Sequence, residues 1–336
     1  MVSRPLITVL GASGFIGSAV AAALARRPVR LRLVARRPAR CVVPGDPGRV
    51  VAEVESRIAD LSRTGVLSEL LADSDAVIHL VAHLGGASTW RTAEGDPAAE
   101  RLNTGLVQEL VDVLRTARDE GAPPATVVFA STVTGHQAAR PAGEDARSTT
   151  PYERQKLAAE RMLADATAAG VLRGVTLRLS TVFGPAAAPT AVDRGVVSAM
   201  VGRALANEPI TMWHDGTVRR DLLYVRDAAE AFTAALDHAP ALAGRHWLVG
   251  SGRSTPLGEV FRRVAAAVAG HTGLPPVPVE RVEPPAFAST ADFHDVFSDC
   301  TPFRSVTGWA PRVSLHTALA HTVTALAGPH GKDRPL

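Results

Sequence analysis

Aromatic side chains make up only 4% of the 336-residue chain, so the sequence offers little for stacking on nucleic-acid bases. Its basic residues, which leave a formal net charge of +3, are spread along the chain and never gather into the dense runs of a nucleic-acid surface, and no nucleic-acid partner is expected. Cysteine is limited to Cys41 and Cys300. Two such distant residues build neither a disulfide framework nor a metal site, so no metal and a reducing cytoplasm are the expectations. Lysine and tyrosine are equally scarce: of 36 basic residues only Lys156 and Lys332 are lysine, and Tyr152 and Tyr224 are the only tyrosines. Long hydrophobic runs are also missing, with one apparent exception. Residues 6–25 carry no charge and follow Arg4 as a secretory leader would, but Gly11, Ser13, Gly14 and Gly17 interrupt the apolar stretch where a leader is continuous. No other stretch reaches membrane-span length, and no membrane association is expected.

What the sequence has in plenty is apolar content, 46%, enough to bury a large core. Short β-branched runs at 6–10, 29–34, 50–58, 75–82, 125–131 and 174–180 read as strands, and helical patterns fall near 65–73, 98–119 and 151–169. Strands alternating with helices predict βαβ units: an α/β fold, a Rossmann-type doubly wound parallel sheet. After residue 180 the texture loosens into Pro-rich loops and short elements, which predicts a smaller mixed α/β substrate lobe. The expected division is a Rossmann domain over 1–180, with 222–250 returning to it, a lobe over 181–221 and 251–327, and a polar tail over 328–336.

Between the first strand and helix lies "GASGFIG". Gly11 permits the bend, Gly14 lets backbone approach a pyrophosphate and Gly17 lets helix and strand pack closely, the marks of a dinucleotide turn rather than a merely structural one. An NAD site would offer an acid at the end of the second strand; here stands Ala35, followed by Arg36 and Arg37. Guanidinium groups clasp a ribose 2′-phosphate, so NADPH is the expected cofactor, against a solvated basic turn as the plain alternative. Asp60 is either an acceptor for the adenine amino group or a helix N-cap. In "TTPYERQK" the scarce Tyr152 and Lys156 stand four apart, on one face if 151–169 is helical, and a nearby ammonium would pull the phenol down toward neutrality as a proton donor. "FAST" places Ser131 and Thr132 just ahead of them. The alternative is a surface Tyr and Lys on an amphipathic helix.

With these motifs the chain resembles the extended short-chain dehydrogenases/reductases, the NAD-dependent epimerase/dehydratase family. The likeness includes "VIHLVA", Asn103 in "RLNTGLVQEL", "LRLSTVFGP", "MWHDGTVRRDLLYVRDAAEAF" and a closing "GWAP". The resemblance implies that Tyr152 is the acid/base, that Lys156 also holds the nicotinamide ribose and that Thr132, in preference to Ser131, hydrogen-bonds the reacting oxygen. It extends the cofactor contacts to Ser13, Phe15, Ile16, Leu61, Leu80, Val81, Ala82 and Asn103, with Leu179 and Ser180 lining the nicotinamide. Arg220 matches the arginine that grips the diphosphate of a sugar nucleotide, and Thr181 falls beside the sugar phosphates. Arg203 and Trp213 are nucleotide contacts or ordinary surface and packing residues, and His83 is a sugar contact or a structural hydrogen bonder.

Departures from the family pattern narrow the reaction. Dehydratases carry Asp-Glu after the active-site Thr, whereas Val133 and Thr134 stand here. Epimerases retain NAD, whereas the arginine pair selects an exchangeable phosphate cofactor. "HLVAHLGGASTWR" and "RGVVSAM" resemble the actinobacterial TDP-4-keto-6-deoxyhexose 4-ketoreductases of antibiotic deoxysugar formation. The expectation is thus NADPH-dependent reduction of a TDP-linked 4-keto-6-deoxy sugar by a homodimer. A 4-epimerase with bound NAD and a non-catalytic NADPH-sensing regulator stand as the alternatives.

Overall fold

The computed structural model describes residues 4–39, 41, 50–83, 93–116, 123–133, 150–188, 191–285, 288 and 290–328. Its strands are β1 (Leu6–Leu10), β2 (Arg30–Ala35), β3 (Glu53–Ile58), β4 (Ala76–His79), β5 (Thr126–Thr132), β6 (Arg173–Leu179), β7 (Thr181–Phe183), β8 (Ile210–Met212), β9 (Arg219–Tyr224), β10 (Arg245–Val249), β11 (Ser254–Pro256) and β12 (Val279–Arg281). Its α-helices are α1 (Phe15–Leu24), α2 (Leu67–Leu71), α3 (Pro97–Glu100), α4 (Leu106–Thr116), α5 (Pro151–Ala168), α6 (Val196–Leu205), α7 (Val225–Asp237), α8 (Ala239–Leu242), α9 (Leu257–Thr272), α10 (Thr301–Thr307) and α11 (Leu315–Ala327).

Seven strands pair in the order β10–β6–β5–β4–β1–β2–β3, every pair parallel. All five residues of β1 are buried because helices cover both faces. On one side Val9, Val128 and Val175 pack with Val20 of α1 and Phe232 of α7; on the other Leu10, Val77 and Val127 pack with α2, α4 and α5. This is the doubly wound α/β arrangement read from the alternation of elements. The strand β10 lies at the sheet edge beside β6, and α7 packs on α1.

The remaining strands form two small sheets. β9 pairs parallel with β7 and antiparallel with β11, β8 pairs with β12, and α9 packs on α6 and α11. Val201 of α6, Val260 of α9 and Val323 of α11 belong to the same buried cluster as Val9 and Val128, so the apolar interior is continuous. Two helices differ from the sequence expectation. The pattern at 65–73 gives only the five residues of α2, with Gly65 before it and Asp73 after it at positive φ. The pattern at 98–119 is broken by a π-helical turn, Arg101–Gly105, centred on the fully buried Asn103. Among the described residues no helix is long and apolar enough to cross a membrane, and no cluster of metal-ligating side chains occurs.

The closing "GWAP" segment is tied back to the Rossmann side. Trp309 donates its indole N–H to the Asp227 carbonyl at 3.1 Å, while the Asp227 carboxylate accepts from the amides of Arg312 and Val313 at 3.0 and 3.1 Å. Replacing Asp227 by Ala strands those two amides, and urea unfolding should show a loss of about 2–4 kcal/mol.

Candidate active site

The turn after β1 shows why glycine occupies its three positions. Gly11, at φ +87°, bends the chain against the backbone of Leu80 and Val81, where an added Cβ would sit 3.3 Å away. At Gly17 a Cβ would lie 2.1 Å from the Gly11 carbonyl oxygen, so α1 starts closer to β1 than any side chain allows. Gly14 is exposed, and its N–H bonds the Gly11 carbonyl at 3.0 Å. The helical ladder starts with Ser18 N–H on the Gly14 carbonyl, so the amides of Phe15, Ile16 and Gly17 precede it, with Ser13 on the turn ahead. An exposed glycine on a helix N-terminus, with no Cβ between backbone and solvent, fits the pyrophosphate of a dinucleotide.

Leu80, Val81 and Ala82 follow β4 next to this turn, the Leu80 amide donating to the Leu10 carbonyl at 3.0 Å. Ala35 ends β2 buried, and Arg36 and Arg37 emerge exposed. Among the described residues neither guanidinium has a hydrogen bond or ion pair. Asp60 and the buried Leu61 lie just past β3. The Asp60 carboxylate accepts from the amide and hydroxyl of Ser62, at 3.1 and 2.7 Å, and these bonds hold it below the usual range, with Arg36 adding to them. Asp60 thus caps its own turn. The α2 helix begins several residues later.

Tyr152 and Lys156 are set by the start of α5. Thr150 and Glu153 form a reciprocal capping box, with Pro151 in the first turn. Lys156 is 2% exposed; its Nζ donates to the Ala130 carbonyl at 3.0 Å and lies 5.8 Å from the Tyr152 ring centroid. Burial lowers the Lys156 ammonium to about 7, against the pull of Glu160, while burial raises the Tyr152 phenol above its ordinary value. The expected downward pull of Lys156 on the phenol is therefore corrected: both groups leave water, and desolvation outweighs their mutual attraction here.

The two hydroxyls at the end of β5 point to opposite faces. Ser131 is buried and donates to the Glu160 carboxylate, which also forms a pair with Arg178 at 2.6 Å. Thr132, half-buried, has within the described residues only a 3.5 Å contact to the Val133 carbonyl, too long for a firm hydrogen bond. It sits across from Leu179 in the sheet. The Leu179 carbonyl accepts from Val133, and the Ser180 amide donates to Val249, so both strand ends are held in place. Thr181 begins β7, half-buried.

Several expected contacts meet protein partners instead. Asn103 accepts from the His83 amide at 2.8 Å, and its own amide donates to the His83 carbonyl and to Gln155 Oε1 at 3.2 and 2.7 Å. With both donors used and no exposure, Asn103 staples the loop after β4 to α5 next to Lys156. His83 Nε2 lies 3.3 Å from Asp96, the geometry of a structural bonder. Arg203 donates to the Pro209 carbonyl and pairs with Glu208, which makes it a clasp at the end of α6. Trp213 is half-buried just after β8. Arg220 donates to the carbonyls of Arg219, Asp292 and His294, which fix its guanidinium at this end of β9.

Two residues not singled out in the sequence share the neighbourhood of Arg220. His214 lies within electrostatic reach of both Arg220 and Arg281, and burial followed by Arg220 lowers its proton affinity. The signal was present in "MWHDGTVRR", but Arg281 joins only because β12 pairs with β8. Thr134, residues 84–91 of the ketoreductase-like loop and most of the polar tail lie outside the described residues.

Comparisons relate the chain to known proteins. A family model described as the NAD dependent epimerase/dehydratase family matches residues 7–250. The UDP-glucose 4-epimerase of Mycolicibacterium smegmatis is 29% identical over 328 residues, spanning 95% of this chain and 97% of that protein. The dTDP-6-deoxy-L-talose 4-dehydrogenase (NAD(P)(+)) of Kitasatospora kifunensis is also 29% identical, with 95% of each chain covered. The solved structure of MoeE5 in complex with UDP-glucose and NAD superposes with a TM-score of 0.72 at 26% identity, over 95% of this chain and 97% of that one. The chain belongs to the NAD dependent epimerase/dehydratase family.

The glycines of the turn should separate by substitution. Gly17→Ala is expected to lose the native fold or several kcal/mol of stability, because the clash is with backbone. Gly14→Ala, whose Cβ would meet only the Gly11 oxygen at 3.2 Å, should fold and yet bind nicotinamide dinucleotides weakly, as read by fluorescence titration.

Proposed function

We propose that the protein reduces the 4-keto group of a TDP-linked 4-keto-6-deoxyhexose with NADPH. The end of β2 carries this reading: the small Ala35 is followed by two exposed guanidinium groups that make no hydrogen bond or ion pair among the described residues, suited to a 2′-phosphate. Relatives named as a UDP-glucose 4-epimerase and a dTDP-6-deoxy-L-talose 4-dehydrogenase support a nucleotide-sugar substrate and chemistry at the 4-position. The second of them is named for both nicotinamide cofactors.

When bound, the nicotinamide supplies a hydride to the carbonyl carbon. The chain's own part is at the oxygen. Thr132, whose hydroxyl is not taken up as that of Ser131 is, donates a hydrogen bond to the carbonyl oxygen. Tyr152 delivers a proton from its phenol as charge develops there, and the Lys156 ammonium favours the phenolate left behind. Neutral Tyr152 before the reaction suits this task, since a donor must hold its proton. The half-buried Arg220 and His214, with the exposed Arg281 nearby, support binding of the diphosphate end. Val133, where a dehydratase carries an acid, leaves elimination without its proton donor. Association of two chains through α4 and α5 belongs to the same proposal.

A second reading, a 4-epimerase retaining its cofactor, is favoured by the epimerase names among the relatives. The two separate on one preparation. A reductase consumes NADPH with TDP-4-keto-6-deoxy sugars and gives a reduced product by NMR; an epimerase turns over with tightly held NAD and no added reductant.

Two variants test the residue roles. Tyr152→Phe should lower turnover by about 10²–10⁴-fold with NADPH affinity nearly unchanged. The Arg36→Ala/Arg37→Ala double variant should lose about 10–100-fold of NADPH affinity and little NADH affinity. An undiminished preference for NADPH would remove the cofactor assignment.

A further inference from the structure

His79 ends β4 at 1% exposure, and neither ring nitrogen has a hydrogen-bond partner among the described residues. Each orphaned buried polar atom costs about 1–3 kcal/mol, which a leucine of similar size would not incur. The imidazole meets the Phe129 ring edge-on, with centroids 5.3 Å apart and planes at 78°. That same ring carries the Lys156 ammonium 4.5 Å from its centroid. His79, Phe129 and Lys156 are therefore contiguous between the sheet and α5.

The other groups around the ammonium leave His79 a distinct place. On α5, Tyr152 lies one turn before Lys156 and Glu160 one turn after. On β5, the Ala130 carbonyl accepts from Nζ and Ser131 bonds Glu160. On β6, Arg178 is locked to Glu160, and His246 of β10 lies within electrostatic reach of that pair. Glu160 is thus shared between two donors of its own. On β4, beside the Phe129 ring that lies under the ammonium and within electrostatic reach of Lys156, stands a polar ring with both nitrogens unspent. Burial and the positive charge of Lys156 keep His79 neutral down to about pH 3, so it brings no competing charge.

We propose that His79 is a positioning residue for Lys156: its imidazole anchors an internal water next to the Phe129 ring that lies under the ammonium, and that polar layer keeps Lys156 charged beside Tyr152. An internal water needs two or more polar partners, and the orphaned ring nitrogens, within electrostatic reach of the ammonium, supply them. The role as a positioning residue in catalysis rests on the acid/base reading of Tyr152 and Lys156, but the electrostatic part does not.

The scarcity of lysine makes the test direct. Protein grown with [ε-13C]lysine carries only two labelled side chains, Lys156 and Lys332, so the Lys156 titration is read by NMR without cofactor or substrate. Its midpoint, about 7 in the wild type, should fall by about half a pH unit or more in His79→Leu and return toward the wild-type value in His79→Asn, whose amide can again hold a water. Thermal melting should show His79→Leu no less stable than wild type. An unchanged Lys156 midpoint in folded His79→Leu overturns the proposal; if that variant does not fold, a His79→Asn midpoint far from wild type overturns it instead. The pH–rate profile separates the two readings. A shifted Lys156 midpoint with an unshifted alkaline limb of turnover leaves the electrostatic role standing and removes the acid/base reading of Lys156.

Discussion

The rest of the molecule is arranged around the contact between the Gly11 carbonyl and the α-carbon of Gly17. It fixes how closely α1 approaches β1, which in turn fixes where the helix's first amides point. Because β2 and β4 flank β1 in the parallel sheet, the same edge receives Arg36 and Arg37 from one side and Leu80 to Ala82 from the other. β5 and β6 then carry Thr132 and Leu179 to that edge. A single close approach near the start of the chain sets the geometry against which the other candidate contacts are placed.

A second constraint is the removal of charge from water. Lys156 lies under α5 with one carbonyl partner, and Glu160, one turn on, is divided between Arg178 and Ser131. Replacing one member of such a buried group would expose the others to an unpaired state far costlier than a surface pair. The arrangement also sorts the two adjacent hydroxyls of β5: strand alternation commits Ser131 to Glu160 and leaves Thr132 on the opposite face. The same burial that makes Lys156 responsive near neutral pH holds the proton on Tyr152.

The alternation of β-branched runs and helical patterns made the doubly wound sheet legible, because parallel strands buried on both faces leave an apolar signature in the chain itself. The glycine turn and the Tyr152–Lys156 spacing were readable for the same reason: each is local, set by residues within one turn. What the sequence hides depends on partners far along the chain. Nothing near Asn103 announces its bonds to His83 and Gln155, and nothing near Arg220 announces carbonyls from 292 and 294. The phenol was misjudged because spacing reports which groups are neighbours and says nothing of how much water they lose. Nothing in the sequence around His79 marks it out, since an orphaned nitrogen is visible only once its surroundings are assembled.

The position of β10 at the sheet edge bears on how the chain comes to be folded. β6, buried along nearly its whole length, is completed at residue 179, yet its outer edge stays open until residues 245–249 arrive, and the Asp227 staple waits for residues 312 and 313. During synthesis the Rossmann half is therefore present long before it is covered, with a row of unsatisfied backbone groups beside buried-type side chains. The interval is the period in which the nascent protein is most open to wrong pairing with another copy of itself, and the closing segment of the chain ends it.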